Sequence, residues 1–135
     1  MANMSLKEYQ EITGSRHKYN NKPVVVDGVR YDSKKEYARW CELQILQRAG
    51  EIEDLVRQKK FELRPGFMHK GKKIRALTYI ADFYYYDRTP DRKHSKGLES
   101  RWVIEDVKSP ITRKDKVYRL KYNEMLYRGL EIKEV

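Results

Sequence analysis

Apolar and polar positions alternate most clearly in "ALTYIADFYYYD", residues 76–87, where β-branched and aromatic residues predict a strand. Asp82 is the only charge between Arg75 and Asp87 in that run. A second strand is predicted in "WVIEDVKSP", residues 102–110, which Ser109-Pro110 stops. Its pattern is poor: alternation sends Val103, Glu105 and Val107 one way and Ile104, Asp106 and Lys108 the other, so neither face is cleanly apolar. "RQKKFEL", residues 57–63, predicts a strand before a turn region around Pro65-Gly66 and the basic "HKGKK". Asp27-Gly28 predicts a two-residue hairpin pairing Val24 to Val26 with Val29 to Tyr31, and "LEIKEV" a short final strand.

Helical spacing replaces alternation in two places. "SKKEYARWCELQILQRAG" predicts a helix that Ser33 caps and Gly50 closes. "TRKDKVYRLKYNEMLYR" predicts a second, with a Thr112-x-x-Asp115 capping pattern, Gly129 past its end, and Tyr118, Tyr122, Met125 and Leu126 as its core stripe. The segment "RTPDRKHSKGLES" is expected to be a long exposed loop, and residues 1–20 a flexible basic arm. Residues 21–135 are then one domain, and after the N-terminal hairpin its order is helix, three strands, helix, strand.

The 135 residues carry 30 Lys and Arg against 20 Asp and Glu, a formal charge of +10, which favours a polyanionic partner and puts nucleic acid first. A basic surface without a specific partner would have the same charge. The single cysteine, Cys41, excludes an internal disulfide and is expected to be an ordinary buried thiol in a reducing compartment. No apolar run is long enough to cross a membrane and the N-terminal segment lacks a signal peptide's apolar centre, so no membrane is expected and the location is expected to be cytoplasmic. His17, His69 and His94 are scattered and give a structural zinc site no support.

If residues 78–86 and 102–108 form consecutive antiparallel strands, a register pairing Asp82 with Asp106 puts the midpoint of the connection at His94, inside the polar segment. Facing carboxylates repel, and a lone strand aspartate is ordinarily a solvated one. A divalent cation removes the conflict, and carboxylate oxygens with retained waters are the usual surroundings of Mg²⁺. Such an ion can activate water and stabilise charge on a phosphate oxygen. Lys108 shares a face with Asp106, where an ammonium can orient the water or the phosphate, whereas Glu105 points away and would replace Asp106 only after a one-residue slip.

Asp82 followed by Asp106-Val107-Lys108 on the next strand resembles the signature of the PD-(D/E)XK nuclease superfamily, and the order of elements resembles that superfamily's core. Ala81 stands where the named motif has proline, as in many members. The segment "KYNNKPVVVDGVRYDSKKEYARWCELQILQRAGEIEDLVRQKKFEL" further resembles a group of small phage and prophage proteins assigned to that superfamily. The resemblance covers about residues 18–134 and implies an α/β restriction-endonuclease-like core: helix, three-stranded antiparallel meander, helix, strand, with the hairpin and basic arm in front. It implies that Asp82, Asp106 and the backbone carbonyl of Val107 hold Mg²⁺, or Mn²⁺ in its place, and that Lys108 serves the nucleophilic water. Members often add a glutamate from the first helix, the position of Glu36. Ser33-x-x-Glu36 is also a capping box, in which Glu36 would bond back to the backbone of Ser33, although its stripe with Trp40 and Leu43 turns it inward. Gln58 resembles a polar residue that supports the site in some relatives.

The resulting expectation is a magnesium-dependent endonuclease that hydrolyses DNA phosphodiester bonds, double-stranded or branched, as in Holliday-junction resolution during phage replication or recombination in a bacterial host. Cuts on two strands would call for a homodimer. Lys34, Lys35, Arg113, Lys114, Lys116, Arg119 and Lys121 are the candidate phosphate contacts, although a solvated helix face has the same composition. The alternative is a non-catalytic DNA-binding module that retains the nuclease fold, for which the acids and Lys108 would have no use.

Overall fold

The computed structural model describes residues 22–89 and 101–135. The basic arm over residues 1–20 and most of the expected loop, His94 included, lie outside the described residues. The chain opens with the expected hairpin, β1 (Val24–Val26) and β2 (Val29–Tyr31), turned by Asp27 at φ 51° and Gly28 at φ 78°. Both turn residues occupy the left-handed region that a tight hairpin requires, which is why Asp-Gly announces it. Helix α1 (Lys34–Arg48) follows, with the Ser33 side chain accepting from the Glu36 N–H at its start.

A four-stranded sheet forms the body, in the order β3 (Ile52–Arg64), β6 (Leu77–Asp87), β7 (Trp102–Asp106), β8 (Ile132–Glu134). The first three are antiparallel neighbours and β8 adds parallel to β7. The fold is thus mixed α/β, with three helices and a mixed sheet among the described residues. β3 begins five residues before the predicted Arg57, because the register shifts between Glu53 and Val56 and Asp54 turns to φ 57°, a bulge that breaks alternation. The expected turn region after Arg64 is itself a hairpin, β4 (Phe67–His69) and β5 (Lys72–Ile74), turned by Lys70-Gly71 at φ 47° and 77°.

The predicted second helix is two. Ser109 caps α2 (Pro110–Arg113), and Asp115, at an extended ψ of 130°, interrupts the chain and caps α3 (Lys116–Tyr127) through the Tyr118 N–H. Thr112-x-x-Asp115 is therefore not one helix's capping pair. Tyr118 and Met125 are buried as expected and Tyr122 is half-buried, but Leu126 is 44% exposed, since α3 presents an edge just wide enough for residues seven apart. Cys41 is a free thiol, half-buried rather than buried. No helix among the described residues is long and apolar enough to cross a membrane.

Two cores cover the sheet's two faces. Leu43 of α1 packs with Ile52, Phe83, Tyr85 and Val103, and Trp40 stacks on Phe83 with centroids 6.0 Å apart. Tyr118 and Met125 of α3 pack with Leu63, Tyr79, Ala81, Ile104 and Ile132. Tyr79 and Ala81 thus belong to the α3 side while Phe83 and Tyr85 belong to the α1 side. Strict alternation would keep all four together. The change of face falls at Asp82, and Gln58, in register with it on β3, stands at φ 54° between the regular pairs Arg57↔Phe83 and Lys59↔Ala81. A left-handed residue inside a strand disturbs side-chain alternation, and the division between the two cores falls beside Gln58, at Asp82.

Candidate active site

The β6–β7 ladder runs from Tyr86↔Trp102 to Phe83↔Glu105 and stops. One further step in that register sets Asp82 opposite Asp106, the pairing expected from the sequence. Here the strands are joined by a side chain instead: Asp82 Oδ2 accepts the Val107 N–H at 2.8 Å. Asp106, 1% exposed, accepts from the Tyr79 hydroxyl at Oδ2. Its Oδ1 lies 3.1 Å from Lys108 Nζ without the geometry of a hydrogen bond and has no other partner. The ammonium also stands 4.8 Å from the centre of the Tyr118 ring, so it is held between a carboxylate and an aromatic face. β8 fixes the backbone beneath: Val135 N–H donates to the Asp106 carbonyl at 2.9 Å and Lys108 N–H to the Val135 carbonyl at 3.3 Å.

Burial raises Asp82 far above the ordinary carboxylate range, and the adjoining Asp106 carboxyl raises it further. The Val107 N–H and the Lys108 charge oppose this and do not cancel it. Asp82 is therefore held back from ionising by its own desolvation and by the carboxyl beside it.

Glu36, 2% exposed, forms an adjoining group. Its Oε2 accepts the Asp32 N–H at 2.9 Å, so the carboxylate bonds to the backbone one residue before the expected Ser33. Its Oε1 faces Gln58 Nε2 at 3.4 Å and Arg57 Nη2 at 3.7 Å. Burial first and repulsion from Asp82 second push Glu36 up to about 7. The residue thus ties the helix entry to the strand site, and Gln58 donates to it across a long hydrogen bond.

The structure brings Asp82, Asp106 and Lys108 together, reaches Val107 through its backbone, and sets Glu36 and Gln58 beside them. Tyr79, Arg57 and Tyr118 were missed. Neither Tyr79 nor Arg57 was singled out in the sequence, yet Arg57 lies 4.2 Å over the Tyr31 ring and 5.5 Å over Trp40, with a buried Nε that has no hydrogen-bond partner. The only sequence signal for either was its position, three residues before Asp82 and next to Gln58. Lys34, Lys35, Arg113, Lys114, Lys116 and Arg119 are exposed, and Lys121 is half-buried. Arg113 approaches Glu134 at 3.9 Å, and Arg119 lies 4.8 Å over Tyr122.

Among the described residues no three His, Cys, Asp or Glu side chains come together as a metal-holding group. What is present suits a hard cation that takes one or two carboxylates and keeps its waters: the half-buried Asp82 beside the buried Asp106, one oxygen of which has no hydrogen bond.

The family described as "Protein of unknown function (DUF1064)" matches residues 16–134. The chain belongs to this family. The match takes in every residue of the candidate site, from Lys34 to Lys121. No curated protein and no solved structure matches the chain.

Proposed function

We propose that this protein is a Mg²⁺-dependent endonuclease that hydrolyses DNA phosphodiester bonds with a PD-(D/E)XK-like site on a restriction-endonuclease-like core. The observation that carries the reading is the meeting of Asp82 and Asp106 at the end of the β6–β7 ladder, with Lys108 3.1 Å from Asp106. A protein that only bound DNA would gain nothing from two adjoining acids, which repel phosphate unless a cation lies between them.

Asp82 and Asp106, with the Val107 carbonyl, would hold the ion, and Glu36 would reach it through a water or directly. A bound Mg²⁺, or Mn²⁺, supplies a lowered water pKa and a counter-charge for the phosphorane-like transition state. Lys108 is the counter-ion of Asp106 in the metal-free protein. With a cation on Asp106, its ammonium would be free to orient the attacking water. Tyr79 holds Asp106 in place through its hydroxyl, and Gln58 and Arg57 hold Glu36. The exposed cations of α1, α2 and α3 would take the flanking phosphates, and a homodimer would present two sites to two strands.

Labelled linear, nicked and four-way DNA, incubated with Mg²⁺ or with chelator, test this directly. Cleavage is expected only with Mg²⁺. Asp82→Ala should abolish it and Lys108→Ala should slow it by about 10²–10³-fold, with DNA binding retained in both. Binding without cleavage of any substrate would favour the non-catalytic module.

A further inference from the structure

The β4–β5 hairpin packs on no core. Every residue from Phe67 to Lys73 is exposed, and only Ile74 is half-buried. Two-stranded hairpins are marginal by themselves, so something must hold this one. Its neck does. Arg64 donates to the Pro65 carbonyl at 3.1 Å and across the neck to the Arg75 carbonyl at 3.2 Å. Gly66 lets the two backbones meet: a Cβ there would stand 3.0 Å from the Ile74 carbonyl oxygen and 3.3 Å from the Ala76 nitrogen. The neck is therefore built to project a tip that contributes nothing to the folded core.

The chemistry of that tip is one-sided. Between Glu62 and Asp82 the chain has no acid, while Lys70, Lys72, Lys73 and Arg75 lie within six residues. Phe67 is 49% and Met68 65% exposed beside them. Pairing sets Met68 beside Lys73 on one face and Phe67 beside Ile74 on the other, so each face offers apolar surface next to a cation or its turn. We propose that this hairpin is a nucleic-acid-binding finger that enters a groove of duplex DNA, its lysines on the phosphates and Phe67 and Met68 against the groove wall. Three residues per strand extend about 10 Å at roughly 3.3 Å each, and the major groove of B-DNA, about 12 Å wide, admits a two-stranded ribbon. The inference rests on the nucleic-acid reading above, yet binding is measured separately from cleavage.

The test is anisotropy of labelled duplex DNA over a salt series, with chelator present so that nothing is cut. Each phosphate contact removed should lower the slope of log K against log salt by about 0.9. Lys70→Gln/Lys72→Gln/Lys73→Gln should lower it by about two to three and leave the melting temperature unchanged. Phe67→Ser/Met68→Ser should weaken binding at an unchanged slope. Arg30→Gln/Arg48→Gln/Lys60→Gln, three exposed cations outside the hairpin, should leave the slope alone. A wild-type slope in the lysine variant overturns the finger, as does an equal change in the control, which would make binding a matter of net charge. A lower melting temperature in the lysine variant, or binding to phosphatidylglycerol vesicles in place of DNA, also overturns it. An altered slope with no Mg²⁺-dependent cleavage keeps the finger and sinks the nuclease, and the reverse pairing does the opposite.

Discussion

Glu105 and Asp106 are neighbours on one strand, 0% and 1% exposed, and they face opposite cores. Glu105 is fully partnered. Arg39 of α1 grips it with Nε and Nη2, both at 2.7 Å, the Tyr85 hydroxyl donates to it, and Lys133 stands 3.9 Å away. Asp106 has one good donor, Tyr79, and a lysine at the wrong angle, while another carboxyl presses on it from Asp82. Burial alone does not distinguish a working acid from a structural one. The difference is whether the partner set closes: Glu105 locks helix to sheet, and Asp106 keeps acceptor capacity for an incoming cation.

The two acids differ most in what their loss does to stability. Removing Glu105 leaves the Arg39 guanidinium, only 15% exposed, with the exposed Glu42 as its one carboxylate at 2.9 Å and takes the acceptor from the Tyr85 hydroxyl, so Glu105→Ala should cost about 3–5 kcal/mol in urea unfolding. Asp106→Asn should cost less, about 1 kcal/mol, because the amide oxygen still accepts from Tyr79, the repulsion with Asp82 is relieved, and Lys108, which loses its carboxylate, keeps the Tyr118 ring and 18% of its side chain in water. Equal losses in the two variants would erase the distinction.

A smaller effect sharpens it. Mg²⁺ at a hundredfold excess over its dissociation constant should stabilise the wild type by about 2.7 kcal/mol, read as a rise in melting temperature that chelator reverses. Asp106→Asn should lose that rise. Arg39→Lys, which loosens the two-pronged grip on Glu105 but leaves the carboxylate pair intact, should keep it. A cation response that follows Arg39 rather than Asp106 would place the ion on the wrong side of the strand.

Much of this was legible before any coordinates. The Asp82–Asp106 register was an assumption, since the poor alternation of the second strand could not fix it, and the ladder's last pair, Phe83↔Glu105, is in line with it; Asp27-Gly28 and Ser33 are local signals that depend on nothing distant. Other features were hidden for physical reasons. The start of β3 vanished behind the Asp54 bulge, and the break at Asp115 behind a run that keeps helical spacing on both sides of it. The projecting hairpin read as a turn because its residues bury nothing and so leave no periodic trace. Arg39 and Tyr79 were invisible as partners of acids 66 and 27 residues away, since nothing in a single sequence records which distant groups a fold brings together.

Glu36 stands between the two classes of acid, and pH separates its roles. Its proton affinity is raised from 4.5 to about 7, by burial and then by Asp82, with Asp32 adding repulsion and Arg57 and the Asp32 N–H opposing. The folded chain therefore holds a proton that the unfolded chain releases near pH 4.5. The sign follows: this group costs nothing below about pH 4.5, and stability is lost progressively as pH rises from there to about 7. Glu36→Gln keeps an acceptor for the Asp32 N–H and deletes the charge. In chelator, wild type minus variant should fall across that window in urea midpoints taken at stepped pH. A flat difference would mean that Glu36 is charged and comfortable, as a capping residue would be. If the difference falls and the same variant also loses cleavage at neutral pH with its fold intact, Glu36 belongs with Asp106; if cleavage survives, it belongs with Glu105.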